Sequence, residues 1–166
     1  MQDNENKSSI KSDFQFLAYK IDRINFSLEP IANAVIYKQT ADAKVEIGFA
    51  VRDIGRVTNN EKKQYMCGLD TQLKLYDNNK LIATGVFGIE GLFLVDGHFK
   101  DSQENQIVKF QFPTILFPYL RSAITNILAS AGFGSIVFPL INVYNLVENQ
   151  DKKNKINIID LREAIP

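Results

Sequence analysis

The chain is poor in the residues that most chemistry needs. It has one cysteine, Cys67, and one histidine, His98, in 166 residues. A single cysteine excludes an intrachain disulfide and suits a reducing cytosol. A structural zinc site draws several ligands from cysteine and histidine, and one of each cannot supply it. His98 follows Asp96 in what reads as a surface loop. It is the only imidazole a Ser-His-Asp or Cys-His relay could use, and no nucleophile has a recognisable setting around it. Charge of either sign is also missing in excess: 19 basic and 19 acidic residues leave the formal net charge at zero. Nothing therefore favours nucleic acid or an anionic membrane as a partner. No apolar run approaches the ~20 residues a membrane helix requires. Residues 1–13 (MQDNENKSSIKSD) are polar, so they read as a disordered tail and not as a signal peptide. The glycines of Gly85-x-x-Gly88-x-x-Gly91 lack the Lys-Ser/Thr and the following helix of a phosphate loop; they relieve a long twisted strand instead. Asp101 and Glu104 fall in a polar stretch and read as solvated. The expectation is a protein with no catalytic step, no metal and no cofactor.

What the chain does have is a change of period. Hydrophobic residues make up 45%, enough for one domain with a real core. Four strand-like segments come first. In Phe14–Glu29 the apolar positions change phase, from Leu17, Tyr19 and Ile21 to Ile24, Phe26 and Leu28, which requires a bulge near Ile21–Arg23. Residues 31–43 read as a loop or a short helical turn. Val45, Ile47, Phe49 and Val51 then alternate cleanly with polar or small residues. Tyr65 to Leu75 alternates again, Asp77-Asn78-Asn79 is turn chemistry, and Leu81–Val95 is the last long strand. Short polar links between these strands argue an antiparallel meander.

From Phe112 the period is 3.6. Leu116, Leu120, Ile124 and Leu128 share one stripe with Ile127 and Ala131, which predicts a helix of about four turns with Pro118 in or near its first turn. Gly132 stands where a helix stop belongs. Ile141–Val147 opens a second, short helix; Glu148–Lys155 is polar, and the apolar Ile156–Leu161 fits helix, strand or docking segment equally. The fold class expected is α+β, a four-stranded antiparallel sheet with one long and one short C-terminal helix. One helix cannot cover such a sheet, so apolar surface must be shared with other subunits or kept for partners.

Residues Phe112 to Val143, FPTILFPYLRSAITNILASAGFGSIVFPLINV, carry an unusual signature. Pro113, Ile115, Leu116, Phe117, Pro118, Tyr119 and Arg121, then Gly132, Pro139 and Asn142, closely resemble the C-terminal half of the SecB export chaperones. Phe26-Ser27-Leu28-Glu29-Pro30 resembles the end of that family's first strand, and Tyr65–Gly97 its third and fourth. The likeness spans about residues 14–147, with 148–166 as an added segment. The resemblance implies a cytoplasmic homotetramer, a dimer of dimers, that holds unfolded or precursor polypeptides for export or against aggregation. It implies client grooves lined by Ile31, Val35, Ile36 and Tyr37 after the first strand, and by Phe133, Ile136, Val137 and Phe138 after the long helix. Each of these is equally compatible with ordinary core packing. Leu116, Leu120, Ile124 and Leu128 read as core and subunit interface. Members that deliver clients to the SecA motor present acidic residues on the outer sheet face; Arg23, Ser27 and Val86 stand at the matching places here, so SecA docking is not expected to carry over. Divergent SecB-like chaperones associate with toxin–antitoxin pairs, and the alternative reading is a dedicated chaperone for one partner, such as an antitoxin.

Overall fold

The computed structural model describes residues 13–38, 43–59, 62–96, 99–134 and 136–162. The expected N-terminal tail up to residue 12, and the loop histidine His98, lie outside the described residues. The sheet has six strands, β1 (Phe14–Leu28), β2 (Lys44–Val51), β3 (Ile54–Asn59), β4 (Lys62–Asp77), β5 (Lys80–Val95) and β6 (Ile158–Asp160), in the order β1-β5-β4-β3-β6 with β2 also on β4. Four strands were expected, and the difference has two causes. β2 and β3 are one edge strand broken at Arg52-Asp53: β2 pairs with Leu69–Tyr76 and β3 with Lys62–Met66, on the same side of β4. Across that break the inward positions move from Val51 to Ile54, an odd-to-even change of phase. β6 joins from the far end of the chain and pairs in parallel with Ile54–Arg56.

The bulge foreseen in β1 is present between Ile21 and Arg23, and a second lies at Leu17. Together they let a 15-residue strand keep Phe16, Tyr19, Ile21, Ile24 and Phe26 towards one face while it twists along β5. Asn78 and Asn79, at φ 45° and 61°, make the tight β4–β5 turn.

The helices are α1 (Ala32–Lys38), α2 (Asp101–Gln106), α3 (Phe112–Ser130) and α4 (Val143–Lys153), with a π-helical turn at Ile107–Gln111 joining α2 to α3. The long helix therefore begins well before the stripe of apolar residues, and Pro118 lies in its interior, not in its first turn. Two features accommodate the prolines. The π turn widens the helix just before Pro113, with Phe112 N–H donating to Ile107 O. The Thr114 hydroxyl donates to Phe110 O at 2.7 Å in the turn between the two prolines. Glu104 was expected in a solvated loop, yet it is only 4% exposed. Its carboxylate accepts from the Tyr65 hydroxyl and from Lys63 Nζ at 2.8 Å, so its polar partners are supplied by β4. Burial, and then this carboxylate, push the Tyr65 phenol well above its usual range.

α3 lies on β4 and β5. Phe112 stacks on Phe93 at 3.9 Å, and Leu116 packs down onto Gly91, where any Cβ would collide with it. Leu116, Leu120, Ile124 and Leu128 are all fully buried within a single chain. They form the helix–sheet seam and leave no surface for a second subunit, which corrects their reading as interface residues. The opposite side of α3 carries Pro118, Tyr119, Ser122 and Asn126, all exposed.

Candidate functional site

Three elements pack along α3, from its Gly132 end back to Phe117. The helix stops at Gly132, whose φ of +94° is open to glycine and strained for other residues. Phe133 N–H closes back onto Leu128 O at 2.8 Å. A Cβ on Gly132 would come within 2.8 Å of Ile36 Cγ2, so α1 abuts this corner directly. The structure thus brings together the two segments that sequence reasoning paired as groove walls. The third element is β2, whose Phe49 meets Phe117 edge-on at 6.0 Å, while Phe117 meets Phe138 at 6.1 Å.

The individual residues divide by side. Phe133, Ile136 and Phe138 turn inward and are buried. Arg121 Nε donates to Phe138 O at 2.8 Å and pins that residue against the helix. These three are core of the chain and not an open lining, because the loop needs its own apolar anchors to have one conformation. Val137 is 59% exposed and Leu140 is 83% exposed. On the α1 side Ile31 is exposed, and Val35 and Ile36 are half-buried against the core. Tyr37 is in α1, and its side chain lies outside the described ones.

β2 supplies what the sequence did not show. One edge pairs with β4, and the other has no strand partner among the described residues. Only its last residue is closed: Val51 N–H donates to Gln150 Oε1 at 2.8 Å, and Gln150 Nε2 donates to Val51 O at 2.7 Å. The α4 glutamine imitates a neighbouring strand for that residue. Upstream, the outward backbone groups of Val45, Ile47 and Phe49, in phase with Val51, have no strand partner among the described residues, and the side chains of these three are half-buried. A free edge next to apolar side chains can take up an extended polypeptide by main-chain hydrogen bonds and apolar contacts, with no preference for one sequence. Asn142 sets the far boundary, since its Oδ1 accepts from Asn145 N–H at 3.1 Å and starts α4.

Among the described residues no helix lies over the outer face of the sheet, and its charges are paired with one another. Arg52, at the β2–β3 break, lies over Gly68 and Gly88. Its guanidinium bonds Asp22 at 2.5 and 2.9 Å and Asp70 at 2.8 and 2.9 Å. The hydrogen bond from Arg52 holds the Asp22 carboxyl below the usual range, and the two carboxylates raise the guanidinium still higher. Glu90 is paired with Lys20 at 3.0 Å. Arg23, Ser27 and Val86 all register on this uncovered face. Its carboxylates are therefore held by cations of the same chain.

Among the described residues no three of His, Cys, Asp and Glu gather as a metal site would require. Cys67 is fully buried, and burial pushes its thiol far up. Among the described residues no helix is long and apolar enough to cross a membrane.

A family model described as preprotein translocase subunit SecB matches residues 11–154. The fold is similar to a solved structure of the Mycobacterium tuberculosis Rv1957 SecB-like chaperone in complex with a ChAD peptide from the Rv1956 HigA1 antitoxin. The TM-score is 0.56 at 12% identity, covering 77% of this chain and 90% of that chain. No curated protein matches the sequence.

Proposed function

Because this chain belongs to the SecB family, we propose that it is a chaperone that holds unfolded or precursor polypeptides, for export or to prevent their aggregation. The reading is supported by the pairing, in one chain, of a β2 edge that has no strand partner among the described residues with apolar side chains exposed on other segments, Ile31 beside α1 and Val137 and Leu140 after Gly132. The pairing asks nothing of the client except an extended backbone and apolar side chains. The protein acts in the cytoplasm, as a homotetramer built as a dimer of dimers. Support for assembly comes from the outer edge of β1, which has no strand partner among the described residues, and from the half-open aromatic cluster beside it. There Tyr19 and Tyr119 lie 4.6 Å apart, with Phe16 5.3 Å from Tyr119. This cluster and the exposed side of α3 take the interface role that the buried Leu116–Leu128 stripe cannot. Docking to SecA is not part of the proposal, since Asp22, Asp70 and Glu90 are engaged within the chain.

A second reading, a dedicated chaperone for one partner such as an antitoxin, is favoured by the antitoxin peptide bound to the similar M. tuberculosis protein. Promiscuity separates the two. The purified chain, mixed with two unrelated chemically denatured proteins on dilution, is expected to suppress the aggregation of both at near-stoichiometric amounts. Suppression of neither, together with one stoichiometric partner co-purifying from the source cell, would select the second reading.

A further inference from the structure

The edge of β3 is closed by the chain's own C-terminal residues, which lie beyond the family match ending at residue 154. Ile54 N–H donates to Asn157 O at 2.8 Å, and Leu161 N–H donates to Arg56 O at 2.9 Å. Between them Ile54, Gly55 and Arg56 register with Ile158, Ile159 and Asp160. Asn157 donates to Asp53 Oδ1 from its backbone and its amide, at 3.0 and 3.2 Å. Ile156 is buried, Ile158 is half-buried against the core, and Leu161 covers Gly55 so closely that a Cβ there would lie 2.8 Å from its Cδ1. Asp160 stands opposite Arg56 in register, and its carboxylate accepts from the backbone and guanidinium of Arg162 in its own segment, at 3.0 to 3.2 Å. Viewed as chemistry, residues 156–162 are a short peptide bound by strand addition. Alternate apolar side chains are seated against the sheet, and one acid faces one cation.

We infer that this segment is a displaceable occupant of a second strand-addition site, one that takes an extended polypeptide of the pattern apolar-x-apolar-x-acidic-apolar when residues 156–162 leave. The inference rests on the chaperone reading for its client, and on the chain's own segment for its pattern. Only three residues are paired in the ladder, and the linker between α4 and them, Asn154-Lys155, is exposed. Asp151 Oδ1, accepting from Ile156 N–H at 2.8 Å, anchors the start of the segment. Segments with so few paired groups lie at the low-stability end of a fold and open without global unfolding. β3 continues the line of β2 along β4, with the Gln150 amide holding the junction residue Val51. Release would therefore add β3 to the edge a client already uses.

The test is the full chain carrying Asp53→Cys and Asn157→Cys, two exposed positions whose side chains already touch. Cys67 is buried and does not compete for the disulfide. The probe is a fluorescein-labelled peptide with the sequence of residues 154–162. Under reducing conditions it is expected to bind, and under oxidising conditions at least tenfold more weakly. A probe carrying Asp160→Lys is expected to lose at least tenfold, because it replaces the carboxylate near Arg56 and Arg162 with a third cation. A chain ending at Asn154 is expected to bind the unaltered probe at least tenfold more tightly than the full chain. Equal binding in both redox states, or none in either, would overturn the inference and make the segment a fixed edge cover. Unfolded, carboxymethylated α-lactalbumin reports on the main groove separately. If both redox states hold it equally and the probe does not distinguish them, the chaperone reading survives and the inference fails. If the probe behaves as expected and α-lactalbumin is not held, the strand site stands and the general holding function fails.

Discussion

Exchanging Leu120 for aspartate is expected to unfold the chain, and not to release folded subunits. Leu120 is 0% exposed at the middle of the α3–sheet seam. Truncating such a residue to alanine already costs about 2–5 kcal/mol. An aspartate there would in addition bury a charge with no partner, adding several kcal/mol. A domain of this kind has about 5–15 kcal/mol in total. Denaturant titration followed by circular dichroism is expected to show a loss of roughly 5 kcal/mol or more, or no folded baseline at all. Ile124→Asp should behave in the same way. A variant with native circular dichroism and a smaller mass by light scattering would show that the stripe serves as an interface after all.

The second large effect is confined to function. Val137→Ser with Leu140→Ser removes two side chains that are mostly in water, so the folded chain should change by no more than about 0.5 kcal/mol per site. A client that covers them contributes up to about 1.5–3 kcal/mol for each side chain. Taking about 3 kcal/mol for the pair, the Kd for an unfolded polypeptide is expected to rise roughly 100-fold at an unchanged melting temperature. Phe138→Ala is the contrasting control. It empties a fully buried site beside Phe117 and is expected to cost about 3–5 kcal/mol of stability. Fluorescence titration with a labelled unfolded client, run beside thermal melts of each variant, distinguishes the two outcomes. Normal holding by the Val137/Leu140 double variant would place the groove elsewhere.

The parts of this fold legible in the sequence are those that depend on near neighbours. The phase change across Ile21–Arg23 demanded a bulge, and β1 has one there. Gly132 marked a helix end through its own backbone preference, and α3 ends beside it, while the short helix expected from Ile141 starts at Val143 behind the Asn142 cap and runs on to Lys153. The parts that were not legible depend on distant partners. The strand β6 exists because Asn157 meets Asp53 and Ile158 meets Ile54, about a hundred positions away. α2 is anchored by Glu104 reaching Tyr65 and Lys63, so a polar stretch that resembles a loop becomes helix. Pro118 was placed at a helix start by a local rule that could not foresee a helix already under way from Asp101. Within the candidate site, the resemblance pointed to a loop but not to its inward and outward sides. Phe138 points in because Phe117 and Arg121 hold it, and Leu140 is left outside. Nothing in the pattern of Val45–Val51 said which edge of β2 would stay unpaired, or that Gln150 would close its end.

Hydrogen–deuterium exchange of the full chain, with and without a saturating unfolded polypeptide, tests the central claim most directly. The backbone amides of Val45, Ile47 and Phe49 point outward in phase with Val51, have no strand partner there among the described residues, and should gain protection when a client adds as a strand. The account predicts new protection there and across residues 136–141, with the β4–β5 hairpin unchanged. Protection confined to the outer sheet face around Arg52, or to the exposed side of α3, with β2 and the loop unaffected, would contradict it.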